Sequence, residues 1–148
     1  MSLPSYTILE KADDYSEYKF ISTGPSGDVV KVIAFQKLPV ENLYNLSLLD
    51  IMNDGRLSDT NLSNNSDLRK ILATTIKTLI DYTEIFPERI IFFQGSDDGR
   101  RITLYQKAIA KYYYVLERTF AITGITDAGI EEEFNLQKQY IAFLVKRK

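Results

Sequence analysis

An apolar stripe that begins at Leu68 and is cut off by Pro87 limits what this chain can fold into more than any other feature. Leu68, Ile71, Leu72, Ile76, Leu79, Ile80 and Phe86 recur at three- and four-residue intervals, which puts them on one face of a helix. Asn65 or Ser66 is placed to cap that helix, Asp67 to meet the positive end of its dipole, and Pro87 to stop it. Arg89 to Gln94 follows at once and contains the unbroken run Ile90-Ile91-Phe92-Phe93. So short and so apolar a run reads as a central strand covered on both faces. A helix with one apolar face that feeds directly into a buried strand needs a sheet to pack on.

The flanking segments supply that sheet. Tyr15 to Ser22 alternates Tyr18 and Phe20 with Glu17 and Lys19, the two-residue period of a half-buried strand. Gly24-Pro25-Ser26-Gly27-Asp28 is a turn, and Val29 to Leu38 is the returning, β-branched strand. Leu43 to Asp50 alternates again, Tyr44, Leu46 and Leu48 against Asn45 and Ser47, so these three strands form a meander. Residues 53–65 are a polar loop. After a turn at residues 95–99, Leu104, Ala108, Ile109, Tyr112, Leu116 and Phe120 trace a second helical stripe, broken at most once. Ala121 to Ile125 reads as a short strand, 126–135 as an acidic loop, and Tyr140 to Val145 as a last strand, with a helix over 138–146 as the open alternative. The expected fold is α+β: a mainly antiparallel sheet in the order β-β-β-α-β-α-β-β with helices packed against it, one domain over residues 1–148.

Composition narrows the chemistry. The chain has no Cys and no His. That removes thiolate nucleophiles, disulfides, the Ser-His-Asp triad and the usual zinc ligand sets. Neither nucleotide fingerprint, G-x-G-x-x-G or G-x-x-x-x-G-K-[ST], is present. Asp50 to Gly55 approaches a calcium loop, but Met52 stands where an oxygen ligand is needed and Asn61 where the bidentate Glu belongs. No metal and no cofactor are expected. With 18 basic and 20 acidic residues the net charge is 18 − 20 = −2, which argues against nucleic acid, since counterion release needs a basic face. Met1 to Glu10 lacks the pattern of a signal peptide, and a four-residue apolar run cannot span a bilayer. The expectation is a cytoplasmic protein with no membrane partner. Tyr112, Tyr113 and Tyr114 fan around a helix; Tyr112 belongs to the core stripe, and Tyr113 and Tyr114 suit a half-buried edge or a homodimer contact.

Two loops are candidate binding elements: Ser63-Asn64-Asn65-Ser66-Asp67 and Gln94-Gly95-Ser96-Asp97-Asp98-Gly99-Arg100-Arg101. Each leads into a helix N-terminus with free backbone N–H groups, and arginine adds bidentate anion recognition. The candidate ligand-binding residues are Asn64, Asn65, Asp67, Gln94, Ser96, Arg100, Arg101 and Tyr105, on a rim formed by loops 63–67 and 94–101. The structural alternative is capping, with Arg101 paired to Asp67.

The segments Ser63-Asn64-Asn65-x-Asp67, Ile71-Leu72-Ala73-Thr74-Thr75, Phe86-Pro87, Gly95-Ser96 and Arg101-x-x-Leu104-Tyr105 resemble an uncharacterised family of small bacterial proteins, found largely in Bacteroidetes. The resemblance spans most of the chain and implies a shared fold without an activity. The expected function is binding or interaction, with a small anionic or polar ligand at the rim. Alternatives are one half of a toxin–antitoxin pair, against which the acidic balance counts, and a small acyltransferase. For the latter, R-x-x-L-Y is similar to a late acetyltransferase helix, but the Gly-rich pyrophosphate loop is missing.

Overall fold

The computed structural model describes residues 4–25, 27–51, 54, 55, 57, 58, 67–94 and 100–148; for 57, 58, 100, 101 and 104 it describes the backbone alone. The chain divides into two compact units, Met1–Gln36 with Ser47–Tyr82, and Lys37–Leu46 with Thr83–Lys148.

The first unit holds β1 (Glu10–Lys11), β2 (Glu17–Ser22), all but the last residue of β3 (Val29–Lys37), the second half of β4 (Leu43–Ile51), β5 (Leu57–Ser58) and all but the last three residues of α1 (Leu68–Ile85). β2 pairs antiparallel with β1 and β3, Phe20 opposite Lys31 and Tyr18 opposite Ile33. The alternation read from the sequence is the alternation observed: Tyr18, Phe20 and Ser22 are buried, and Glu17, Lys19 and Ile21 half-buried. On α1, Ile71, Ala73, Ile76, Leu79 and Tyr82 are buried, whereas Leu72 is half-buried. Four threonines of α1 are buried, Thr74, Thr75, Thr78 and Thr83. Thr74, Thr75 and Thr78 donate their hydroxyls to the carbonyls of Lys70, Ile71 and Thr74, four residues back, so their polarity is satisfied within the helix. Tyr82 stacks on Phe35 with ring centroids 3.7 Å apart, and Tyr18 meets both rings edge-on.

The second unit holds the first half of β4 with β6 (Ile90–Gln94), α2 (Arg100–Lys111), α3 (Tyr113–Thr119), β7 (Phe120–Ile125), β8 (Glu131–Glu133) and β9 (Ala142–Arg147). The second helical stripe is broken at Tyr112, which sits at φ −105° and ψ 16° ahead of α3. β9 pairs antiparallel with both β6 and β7, so the 138–146 segment resolves as a strand, shifted two residues toward the C-terminus. Gly124 of β7 lies under the Tyr140 ring so closely that a Cβ there would come 2.5 Å from it.

Among the described residues nine strands run in the order β1-β2-β3-β4-β6-β9-β7-β8, with β5 pairing β4. The class is α+β with a mainly antiparallel sheet, as expected, but two details differ. The order of elements is longer: β1, β5 and β8 are additional strands of two or three residues, and β8 lies within the expected acidic loop. The sheet is also mixed, because β4 and β6 are parallel, Leu43 beside Ile90 and Leu46 beside Phe93. α1 lies in the crossover between them, and a parallel pair needs a crossover of that length. The expectation that residues 89–94 are covered on both faces is corrected too. Ile91 and Phe93 are buried, whereas Ile90 and Phe92 are half-buried.

Candidate functional site

The N-terminal segment ahead of β1 lies along α1, and Tyr6 fastens it there. Its backbone N–H donates to Thr74 Oγ1 at 2.8 Å. Its ring stacks on Phe20, 5.4 Å between centroids, and the Lys70 ammonium lies 4.3 Å from the ring centroid. Its hydroxyl donates to Asp67 Oδ2 and accepts from the Thr23 N–H at 3.0 Å. Ser22, fully buried, donates to the same carboxylate oxygen at 2.5 Å. Asp67 also starts α1, since its carbonyl accepts the Ile71 N–H at 3.0 Å. Its other carboxylate oxygen, Oδ1, is buried and has no hydrogen-bond partner among the described residues.

Beside Tyr6 the same segment and α1 enclose a cleft of about 270 Å³, lined by Ser5, Tyr6, Thr7, Ile8, Lys11, Thr74, Lys77, Thr78 and Asp81. Lys11 and Lys77 are exposed there. The Lys11 ammonium also lies 5.8 Å from the Tyr18 ring centroid. Tyr18 is 1% exposed, and its hydroxyl has no hydrogen-bond partner among the described residues. Burial first, then the negative charge of Asp81 and the neighbouring Tyr82 and Tyr15, push that hydroxyl up to about 12.

Deeper in this unit a lysine and a carboxylate are buried together. Lys31, 2% exposed, reaches Asp50 at 2.5 Å. Lys31 lies directly across from Phe20 on β3, and Asp50 follows Leu46 and Leu48 on the inward side of β4. A charge so desolvated is tolerated only with a partner at contact distance.

Of the residues proposed from sequence, Asn64, Asn65 and Ser96 lie outside the described residues, and Arg100 and Arg101 are placed by their backbone in the first turn of α2. Asp67 is tied to Tyr6 and Ser22. Gln94 ends β6, exposed, across from Ala142. Tyr105 is buried, edge-on to Phe93 with 5.6 Å between centroids. Sequence reasoning passed over Tyr6, Lys11, Ser22, Lys31 and Lys77, and weighed Asp50 only as the start of a calcium loop. The signal was present for two of them: Lys31 and Asp50 occupy inward positions of their strands by the same two-residue period that marks Ile33 and Leu48.

The second unit carries its own polar knot. Glu132 accepts from Lys138 at 2.9 Å and from the Tyr140 hydroxyl at 3.1 Å, and the hydrogen bond from Lys138 holds the Glu132 carboxyl below the ordinary range. The Gln106 side chain clamps the loop beside it, donating to the Lys138 carbonyl and accepting from the Tyr140 N–H. Among the described residues no three acidic side chains are grouped to hold a metal ion, and no helix is long and apolar enough to cross a membrane.

A family model matches residues 2–148, nearly the whole chain. The chain belongs to the family of unknown function DUF6934. No curated protein and no solved structure matches this DUF6934 chain. Membership therefore supplies a shared fold, and the functional reading rests on the side chains above.

Proposed function

We propose that this DUF6934 chain is a binding protein for a small anionic or polar ligand, taken up in the cleft beside Tyr6. The observation that carries the reading is the pairing of two exposed lysines, Lys11 and Lys77, with a cleft of about 270 Å³ lined by Ser5, Thr7, Thr74 and Thr78. Ammonium groups at a partly enclosed, hydroxyl-lined cleft favour oxygen-rich ligands. Asp81 on the same wall favours one that also carries a donor. Thermal-shift measurements with inorganic phosphate, small carboxylates and nucleoside monophosphates test this. At least one should raise the melting temperature of the wild type and fail to raise that of Lys11→Ala/Lys77→Ala, with unliganded melting unchanged. An equal shift in the double variant, or no shift from any compound at millimolar concentration, would overturn it.

A second address for the same ligand class is the one expected from sequence at the start of α2, where Arg100 and Arg101 stand in the first turn. Arg101→Ala that leaves melting intact but abolishes the ligand-induced shift supports that address. A fall of several degrees with the ligand response retained makes Arg101 a structural residue. A toxin–antitoxin component and a small acyltransferase rank below binding, because the acidic balance opposes the first and the missing Gly-rich loop the second.

A further inference from the structure

β8 lies at one end of the strand order, with β7 as its neighbour on one side. The carbonyl of Ile130 and the N–H of Phe134 bond toward β7. By the two-residue alternation of an antiparallel ladder, Glu132 does the same, and the N–H and C=O groups of Glu131 and Glu133 point away from β7 into an open edge. The three glutamates differ in electrostatic state. Glu132 is matched by Lys138. Glu131 and Glu133, both exposed, have no ion-pair partner among the described residues. From Thr119 to Gln137 the chain carries Asp127 and these three glutamates and no basic residue.

Two clefts meet at this edge. One, of about 260 Å³, is lined by Tyr113, Glu117, Phe120 and Glu133 among others, with Lys148 as the basic residue in its lining. The other, of about 440 Å³, is lined by Tyr113, Glu133, Phe134, Asn135, Leu136 and Gln137. Tyr113 and Glu133 form the wall between them. The Tyr113 hydroxyl is pushed above its ordinary value by burial and then by the negative charges of Glu117 and Glu133. Next to it Tyr114 is 69% exposed and Leu136 40%. Carboxylates beside aromatic faces attract organic cations through charge and through the ring quadrupole.

We propose that the open edge of β8, with the clefts on either side of Tyr113 and Glu133, docks an extended lysine- or arginine-rich segment of a partner protein. The backbone groups of Glu131 and Glu133 would extend the sheet by one strand, and alternate basic side chains would enter the clefts. Charge complementarity selects this occupant over a second copy of the chain. Edge-to-edge pairing of two β8 strands sets glutamates against glutamates, and like charges directly opposite destabilise a ladder.

The probe is a synthetic peptide of alternating lysine and valine, with a glutamate-for-lysine version and a version of the same composition interrupted by proline as controls. Amide NMR of the full chain should show saturable shifts at Glu131 and Glu133 with the lysine peptide and with neither control. Glu131→Gln/Glu133→Gln should weaken that binding about ten-fold or more while the β7–β8 amides keep their positions. Equal binding of the proline-interrupted peptide would reduce the effect to unspecific charge attraction and overturn the proposal. So would the absence of shifts at residues 131 and 133, or protection of their amides by self-association without peptide.

Discussion

Lys31 and Asp50 show how much one buried pair can demand. Neither has water to screen it, so each depends on the other at 2.5 Å. Lys31→Met alone leaves a buried carboxylate without its cation and should cost about 3–5 kcal/mol. The double variant Lys31→Met/Asp50→Leu removes both charges and should recover most of that loss. Urea denaturation of the two variants checks this, and a double variant as unstable as the single would show that the pair acts through other contacts. Tyr18 is the converse case, a hydroxyl buried without a hydrogen-bond partner among the described residues. Because its pKa lies above the ordinary 10.0, at about 12, the folded state holds the proton more tightly than the unfolded chain does. The corresponding stability is intact below pH 10 and is lost as pH rises through about 12. Tyr18→Phe should therefore gain about 1 kcal/mol near neutrality by removing an unsatisfied hydroxyl. It should also flatten the alkaline fall in melting temperature. A destabilised, equally pH-sensitive variant would contradict both points.

At the scale of elements, α1 and the β7–β9 ladder are the clearest tests. Leu79 is 3% exposed on α1, and Leu79→Ala should cost about 2–5 kcal/mol in equilibrium unfolding. A neutral substitution would mean that the buried face of the helix is wrongly assigned. Gly124 leaves room for the Tyr140 ring, and that ring's hydroxyl closes the Glu132–Lys138 knot. Gly124→Ala should displace the ring and lower the melting temperature by several degrees, whereas Ala121→Gly, at an exposed position of the same strand, should have a much smaller effect. The helices and longer strands were legible because each offers several turns or several alternations of its period. β1, β5 and β8 were not. Two or three residues carry no measurable period, and a run of glutamates opposes strand propensity. β8 is a strand because β7 offers it a ladder, with Thr123, Gly124 and Ile125 opposite its three glutamates.

At the scale of the whole molecule, DUF6934 membership brings a shared fold without an activity, and the charge balance is the property open to a direct test. With a net charge of −2 the chain should not be retained on immobilised duplex DNA at physiological salt. Retention whose affinity falls steeply with salt would reveal a basic face that the composition hides.

Local periodicity by itself determined the helices and the longer strands and part of what turns inward: Ile71, Ile76 and Leu79 on α1, the β2–β3 hairpin, the alternation along β4; of the α1 stripe, Leu68 is exposed instead and Leu72, Ile80 and Phe86 are half-buried. It determined as well that histidine, cysteine and nucleotide-loop chemistries are absent. The tertiary structure alone decided which strands became neighbours. β9 inserts between β6 and β7, and β4 meets β6 in parallel. It also decided that Lys31 would find Asp50, and that Tyr6 would fasten the N-terminal segment to Asp67 and Thr74. The reason is physical: a repeat of two or 3.6 residues fixes the direction of a side chain relative to its own backbone. The partner it meets is chosen by burial and hydrogen bonding between segments tens of residues apart, for which no local pattern exists.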